Sequence, residues 1–222
     1  TGTGPVEPEP EPDRTTLRGA AETSGRVVGA ALSSSALASD PDYIEVLTRE
    51  FGGLTPENAT KWGPLQTGEE SWDFSTADAM VELAEGADMR VKGHALLWHS
   101  QTPEWIDESL SAEALQTAIE AHFTTTLDHF GTRVADWDVV NEAYEGDGSM
   151  RQSLFWSTLG PSYLAEAFRL AAEHAPDARL FYNDYGIEGL NSKSDAVAQM
   201  VSELRADGVS IHGVGMQMHL TR

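Results

Sequence analysis

Six short apolar runs, set roughly 30 to 40 residues apart with amphipathic stretches between them, constrain this chain more than any other feature. The runs are 27–32 (VVGAAL), 53–55, 90–97, 135–140, 179–183 (RLFYN) and 211–218. Each is short enough for a strand, and strands that read as nearly continuous apolar runs are buried on both faces. Parallel strands joined by crossover helices provide that burial. The helices carry their own start signals. Asp40-Pro41 precedes Tyr43, Ile44, Val46, Leu47 and Phe51; aspartate is a good N-cap and proline suits the first helical position. Ser111 precedes Leu115, Ile119, Phe123, Leu127 and Phe130, which share one helical face. Ser192 or Ser194 is expected to open a later helix carrying Val197, Met200, Val201 and Leu204, with Gly208 as its stop.

Six β/α repeats fit a (β/α)8 TIM barrel two repeats short of closing, or a doubly wound open sheet. A dinucleotide-binding turn would place G-x-G-x-x-G after the first strand, and Gly29-Ala30-Ala31-Leu32-Ser33 does not supply it. At 222 residues and 40% hydrophobic content the chain supports one domain. Residues 1–16 (TGTGPVEPEPEPDRTT) are expected to form a disordered, extended Pro/Glu-rich linker ahead of a catalytic unit over 17–222. No run spans a bilayer and no signal-peptide pattern opens the sequence, so a soluble chain is expected. With no cysteine, disulfides and thiolate metal sites are excluded. Thirty-six acidic residues against 14 basic ones, a formal net charge of -22, argue against nucleic acid and anionic membranes as partners. Only Lys61, Lys92 and Lys193 are lysines, and a surface so acidic and lysine-poor suits a salt-rich medium, where self-repulsion is screened.

Polar and aromatic residues gather where the strands end: Glu57-Asn58 with Lys61, His94 with Trp98, Asn141-Glu142, Asn183-Asp184-Tyr185, and Gln217 with His219. In a barrel that rim is the active face, and carboxylates, amides, imidazoles and rings converging there describe a sugar cleft. Lys92, His94 and Trp98 share parity and are expected on one side of their strand. Plainer readings stand beside these: a capped helix start for Glu57 to Lys61, a hydrogen-bonded core histidine for His94. A zinc reading of His94 with His99 lacks a third ligand. Asp138 is expected to be a buried structural group and Asp184 a rim support, with Trp62, Trp72, Trp105, Trp137 and Trp156 mainly packing.

The stretches LTPENATKW (54–62), GHALLWHSQTPEW (93–105), WDVVNEA (137–143), YNDYG (182–186) and GVGMQMHL (213–220) together resemble glycoside hydrolase family 10, the endo-β-1,4-xylanases. The resemblance implies a TIM barrel and a retaining endo-1,4-β-xylanase, secreted, acting on xylan or xylo-oligosaccharides by double displacement. It implies no metal or organic cofactor, and a monomer when complete. Glu142 matches the general acid/base and Asn141 the residue that binds the sugar 2-hydroxyl. His94 and Trp98 match a wall around subsite -1, and Glu57, Asn58 and Lys61 the glycone-side hydrogen-bonding set. Tyr185 matches an aglycone platform, while Gln217 and His219 match the pair that orients the nucleophile. The family places that nucleophile on its seventh strand, whereas this chain stops at Arg222 after the sixth. The nucleophile is therefore expected to be absent from this chain, and the chain to be a fragment, inactive by itself. A retaining barrel cellulase and a non-catalytic sugar-binding fragment are the alternatives.

Overall fold

The computed structural model describes residues 15–219. The linker expected over 1–16 lies almost wholly outside the described residues. Thr16 is described, and its hydroxyl caps helix α1 (Leu17–Glu22) by accepting the Gly19 N–H at 3.1 Å.

Along the chain follow β1 (Gly29–Leu32), α2 (Ser34–Ser39), α3 (Pro41–Glu50), β2 (Gly53–Pro56), α4 (Trp62–Leu65), β3 (Gln66–Gly68), β4 (Ser71–Trp72) and α5 (Ser75–Gly86). Then come β5 (Arg90–Trp98), α6 (Ala112–Phe130), β6 (Asp136–Asn141), α7 (Leu154–Leu159), α8 (Tyr163–His174), β7 (Arg179–Asp184), α9 (Ser192–Ala206) and β8 (Gly213–Met216). The main sheet has the order β1-β2-β5-β6-β7-β8, every neighbouring pair parallel. Each strand lies beside its predecessor and the order never reverses. A doubly wound sheet must reverse at a switch point, so the arrangement is an arc of a (β/α)8 barrel. All six C-terminal strand ends consequently face one side.

The helix starts follow their signals in two of three cases. The Asp40 side chain accepts the Tyr43 N–H, and the Ser111 hydroxyl accepts the Ala114 N–H. The third differs: Asn191, rather than Ser192 or Ser194, caps α9, in a reciprocal box with the Ser194 side chain. Asparagine presents its carbonyl to the third helical N–H while Ser194 returns the bond. The sixth strand, β8, is shorter than the apolar run 211–218: Ile211 lies ahead of it, buried in the core, and Gln217, just past it, still donates its backbone N–H to the Asp184 carbonyl at 3.0 Å. The two-stranded antiparallel β3–β4 hairpin has too few residues to show a period and went unforeseen.

The core is aromatic and aliphatic, with Trp137, Tyr182, Phe123, Phe130 and Phe168 wholly enclosed, each such ring contributing roughly 1.5 to 3 kcal/mol. Trp62 and Trp137 pack as expected. Two glycines permit this packing. A Cβ on Gly93 would meet the Trp137 ring at 2.3 Å, and one on Gly215 would meet Asn183 Oδ1 at 2.3 Å. All three lysines are drawn into the barrel. Lys61 and Lys193 are buried, and Lys92 pairs with the buried Asp138, which leaves no lysine for the helical exterior.

Candidate active site

The β2 end contributes Glu57, Asn58 and Lys61. Lys61 Nζ donates to Asn58 Oδ1 at 2.7 Å and lies 4.7 Å from the Trp98 ring centroid. Burial lowers the Lys61 pKa, opposed by the charges of Glu57 and Glu142. The charges of Glu57 and Glu142 thus act on the same cation, which links the β2 end to the carboxylate that follows β6.

On β5, Trp98 is the last strand residue, and its indole Nε1 donates to Glu142 Oε2 at 2.9 Å. His94 lies deeper, level with Asp138 of β6. Its Nδ1 is 2.9 Å from Asp138 Oδ2, and Lys92 Nζ is 2.8 Å from Asp138 Oδ1. Thr60 clamps the His94 backbone, its hydroxyl accepting the N–H at 3.0 Å and donating to the C=O at 2.9 Å. Asp138 is thus the buried structural group expected of it, and it orients the imidazole. Parity alone does not carry from His94 to Trp98, because β5 advances one extra residue against β6 between His94 and Leu97. Both side chains nevertheless reach carboxylates of the neighbouring strand and its end, His94 at Asp138 and Trp98 at Glu142.

Asn141 ends β6 and Glu142 follows at φ +60°. Asn141 Oδ1 accepts from Asn183 Nδ2 on β7 at 2.8 Å and from Gln217 Nε2 at 3.3 Å. Gln217 Nε2 also donates to Glu142 Oε1 at 2.9 Å, and His219 Nε2 lies 3.0 Å from Gln217 Oε1. Trp98 and Gln217 therefore donate to different oxygens of the Glu142 carboxyl. Burial pushes the Glu142 pKa up, but the bonds from Gln217 and Trp98, with the His99 charge and Asn141, outweigh it and hold the carboxyl below its ordinary value. A second carboxylate beside Glu142 would raise its pKa. No carboxylate is among the leading influences on Glu142, so the donors prevail and favour the ionised form.

Tyr185 joins the cluster indirectly. Its hydroxyl accepts from Arg151 Nη2 at 3.0 Å, and Arg151 Nε donates to the Glu142 carbonyl at 2.9 Å. Lys193 Nζ lies 3.6 Å from the Tyr185 ring centroid and 2.7 Å from Asp184 Oδ1. Asp184 is fully buried and also accepts from the Tyr182 hydroxyl, as a rim support should. Nine of the ten candidate residues thus meet at the strand ends, with His94 just beneath them. Sequence reasoning missed Arg151, Lys193 and Tyr182. Lys193 left a faint signal, being one of three lysines, but Arg151 lies in an aperiodic loop where nothing marks it.

The family model described as Glycosyl hydrolase family 10 matches residues 16–222. The chain belongs to glycosyl hydrolase family 10. Endo-1,4-beta-xylanase B of Thermotoga neapolitana is 45% identical over 179 residues, covering 80% of this chain and 52% of that protein. Exoglucanase XynX of Acetivibrio thermocellus is 37% identical over 206 residues, covering 87% of this family 10 chain and 19% of that protein. Among solved structures, xylanase 10B from Thermotoga petrophila RKU-1 in complex with xylobiose superposes with a TM-score of 0.90 at 42% identity, covering 93% of this chain and 64% of that one. TsXylA, an intracellular xylanase from Thermoanaerobacterium saccharolyticum JW/SL-YS485, gives a TM-score of 0.83 at 37% identity, covering 87% and 64%. The chain therefore spans about half the length of the Thermotoga neapolitana relative and about two thirds of the solved ones. The TIM-barrel architecture is that of the family.

Proposed function

We propose that the protein is a retaining endo-1,4-β-xylanase in which Glu142 is the general acid/base. The observation that carries this reading is the position of Glu142 at the β6 end, beside Asn141, with Trp98 and Gln217 donating to different carboxyl oxygens. Donors on both oxygens fix the carboxyl group in one orientation, as proton delivery to a glycosidic oxygen and later proton removal from water both require.

Retention needs a second carboxyl about 5 to 5.5 Å from the first, acting as nucleophile. Among the described residues none is offered for that role: Asp184 is engaged by Lys193 and Tyr182, and Glu57 belongs to the glycone-side wall. We assign the nucleophile to the strand that follows β8 in the family, with Gln217 and His219 oriented toward it. Asn141 binds the 2-hydroxyl at the cleavage site. Glu57, Asn58 and Lys61 grip the glycone hydroxyls, His94 and Trp98 wall subsite -1, and Tyr185 is the aglycone platform. The substrate is xylan or its oligosaccharides, and the complete enzyme works as a monomer. Where the substrate is the polymer, which does not cross membranes, the enzyme works outside the cell, in contrast to the intracellular TsXylA; comparing activity in culture medium with that in washed cells tests this, and activity confined to cells overturns it.

The decisive assay compares the full-length protein on xylan and on carboxymethyl cellulose, following the anomeric configuration of the first product by NMR. Release of β-configured xylo-oligosaccharides supports the reading. Preference for cellulose would move the substrate to the glucan relatives, and inactivity on both would leave a sugar-binding protein. Glu142→Ala should lower turnover of xylan by about 10²- to 10⁴-fold while sparing aryl xylosides whose leaving groups need no proton.

A further inference from the structure

Of the ten candidate site residues, Glu142 alone has its backbone in the left-handed region, which side chains other than glycine rarely adopt. Such a conformation persists only where the surroundings over-determine it. Here three consecutive peptide units, from Asn141 to Tyr144, are held at four points. The Glu142 N–H donates to the Asn183 carbonyl at 2.9 Å and the Ala143 N–H donates to the Tyr182 hydroxyl at 3.0 Å. The two carbonyls are both taken by one residue. Arg151 Nε donates to the Glu142 carbonyl at 2.9 Å, and the Arg151 backbone N–H donates to the Ala143 carbonyl at 2.8 Å. Between them the chain makes a hairpin-like excursion through the Tyr144–Met150 bridge, and Arg151 closes it at the base.

The rest of the guanidinium is equally committed. Nη2 donates to the Tyr185 hydroxyl at 3.0 Å, and Nη1 pairs with Glu145 Oε1 at 2.9 Å. The side chain is only 18% exposed, so these bonds operate largely out of water. A guanidinium is a rigid planar fork, and groups bonded to its different nitrogens are fixed relative to one another. The Glu142 backbone on one strand end and the Tyr185 ring on the next are therefore set at a constant separation by one side chain.

We propose that Arg151 is a positioning residue for the acid/base: it holds the left-handed turn that aims the Glu142 carboxyl between Trp98 and Gln217, and it couples that turn to the Tyr185 platform. The inference rests on the reading of Glu142 as the acid/base. Arg151 touches no reacting atom; it acts through the Glu142 and Ala143 main chain and the Tyr185 hydroxyl, and its charge is attracted to that of Glu142. Loss of the fork would free the turn, and displacement of a proton donor by about 1 Å lowers rates by about 10²-fold.

The test uses Arg151→Ala and Arg151→Lys in the intact enzyme. Arg151→Ala should lose about 30- to 100-fold in kcat/KM on xylan, mostly in kcat, with a much smaller loss on aryl xylosides bearing good leaving groups. Added guanidinium at millimolar concentration should restore part of the lost rate, and Arg151→Lys, which keeps the charge but not the fork, should remain impaired. A second readout does not depend on turnover. The Trp98 indole N–H resonance should follow the titration of Glu142 in the parent protein, and should lose that coupling in Arg151→Ala. Xylan activity within about twofold of the parent, with the Trp98 titration intact, overturns the proposal. So does an equal loss on both substrate types with no guanidinium rescue, which marks a general structural role. If the parent protein fails to hydrolyse xylan, it is the proposed function that falls, and the Trp98 titration still decides whether Arg151 positions Glu142.

Discussion

His122 offers the most direct test of how this barrel is held together, because its behaviour depends on burial and not on catalysis. It is fully buried on α6, with Nε2 2.9 Å from the Leu96 carbonyl, Nδ1 3.2 Å from Thr126 Oγ1, and its ring stacked on Trp62 at 4.5 Å. Burial drives its pKa from 6.5 down to about 3, only partly offset by the bond to Leu96. Between those two values the unfolded chain binds a proton that the folded one refuses, so stability falls as pH drops through that window. At about pH 4.5 the unfolded histidine is about 99% protonated and the folded one almost neutral, which corresponds to about 2.7 kcal/mol of lost stability, against roughly 0.2 at pH 7. The loss is a large fraction of the roughly 5 to 15 kcal/mol of an ordinary domain. Urea unfolding of the protein and of His122→Gln at both pH values isolates the effect. Glutamine can still donate to Leu96 but does not titrate, and every other histidine and carboxylate is common to the two proteins. The parent should lose about 2 to 3 kcal/mol more than the variant on acidification. Parallel losses, within about 0.5 kcal/mol, would show that His122 is protonated within the fold and that the burial argument is wrong.

Trp98→Phe removes one of the donors that hold the Glu142 pKa down; the pKa should rise, carrying the basic limb of the kcat/KM profile upward, and an unmoved limb would refute the hydrogen bond. Lys61→Ala should lower kcat/KM more on xylobiose- and xylotriose-sized substrates than on polymer, where distant subsites compensate; an unchanged profile would return Lys61 to a purely structural role. With a net charge of -22, unfolding midpoints should rise between about 0.1 and 2 M KCl as self-repulsion is screened, and a falling midpoint would remove the argument for a salt-rich medium.

Much of the fold was legible from local pattern. Apolar runs bounded by Asp40-Pro41 or Ser111 mark strands and helices through the chemistry of adjacent residues, and five of the six strands begin within two residues of their runs and lie within a residue of them at the C-terminal end. The candidate site was legible for the same reason, since residues following a strand sit at its end whatever the rest of the chain does. Two features lay beyond such reasoning. The choice between barrel and doubly wound sheet is a matter of which strand pairs with which, and only the pairing β1-β2-β5-β6-β7-β8 excludes a switch point. The state of Glu142 depends on Trp98, 44 residues before it, and Gln217, 75 residues after it. Arg151 belongs with these. An arginine in an aperiodic loop has no local signature, and its role follows from the Glu142 carbonyl and the Tyr185 hydroxyl, which the fold brings within reach of a single guanidinium. Local sequence determined where each group stands along the chain; tertiary structure alone decided what each faces, because hydrogen bonds and burial depend on distance in space.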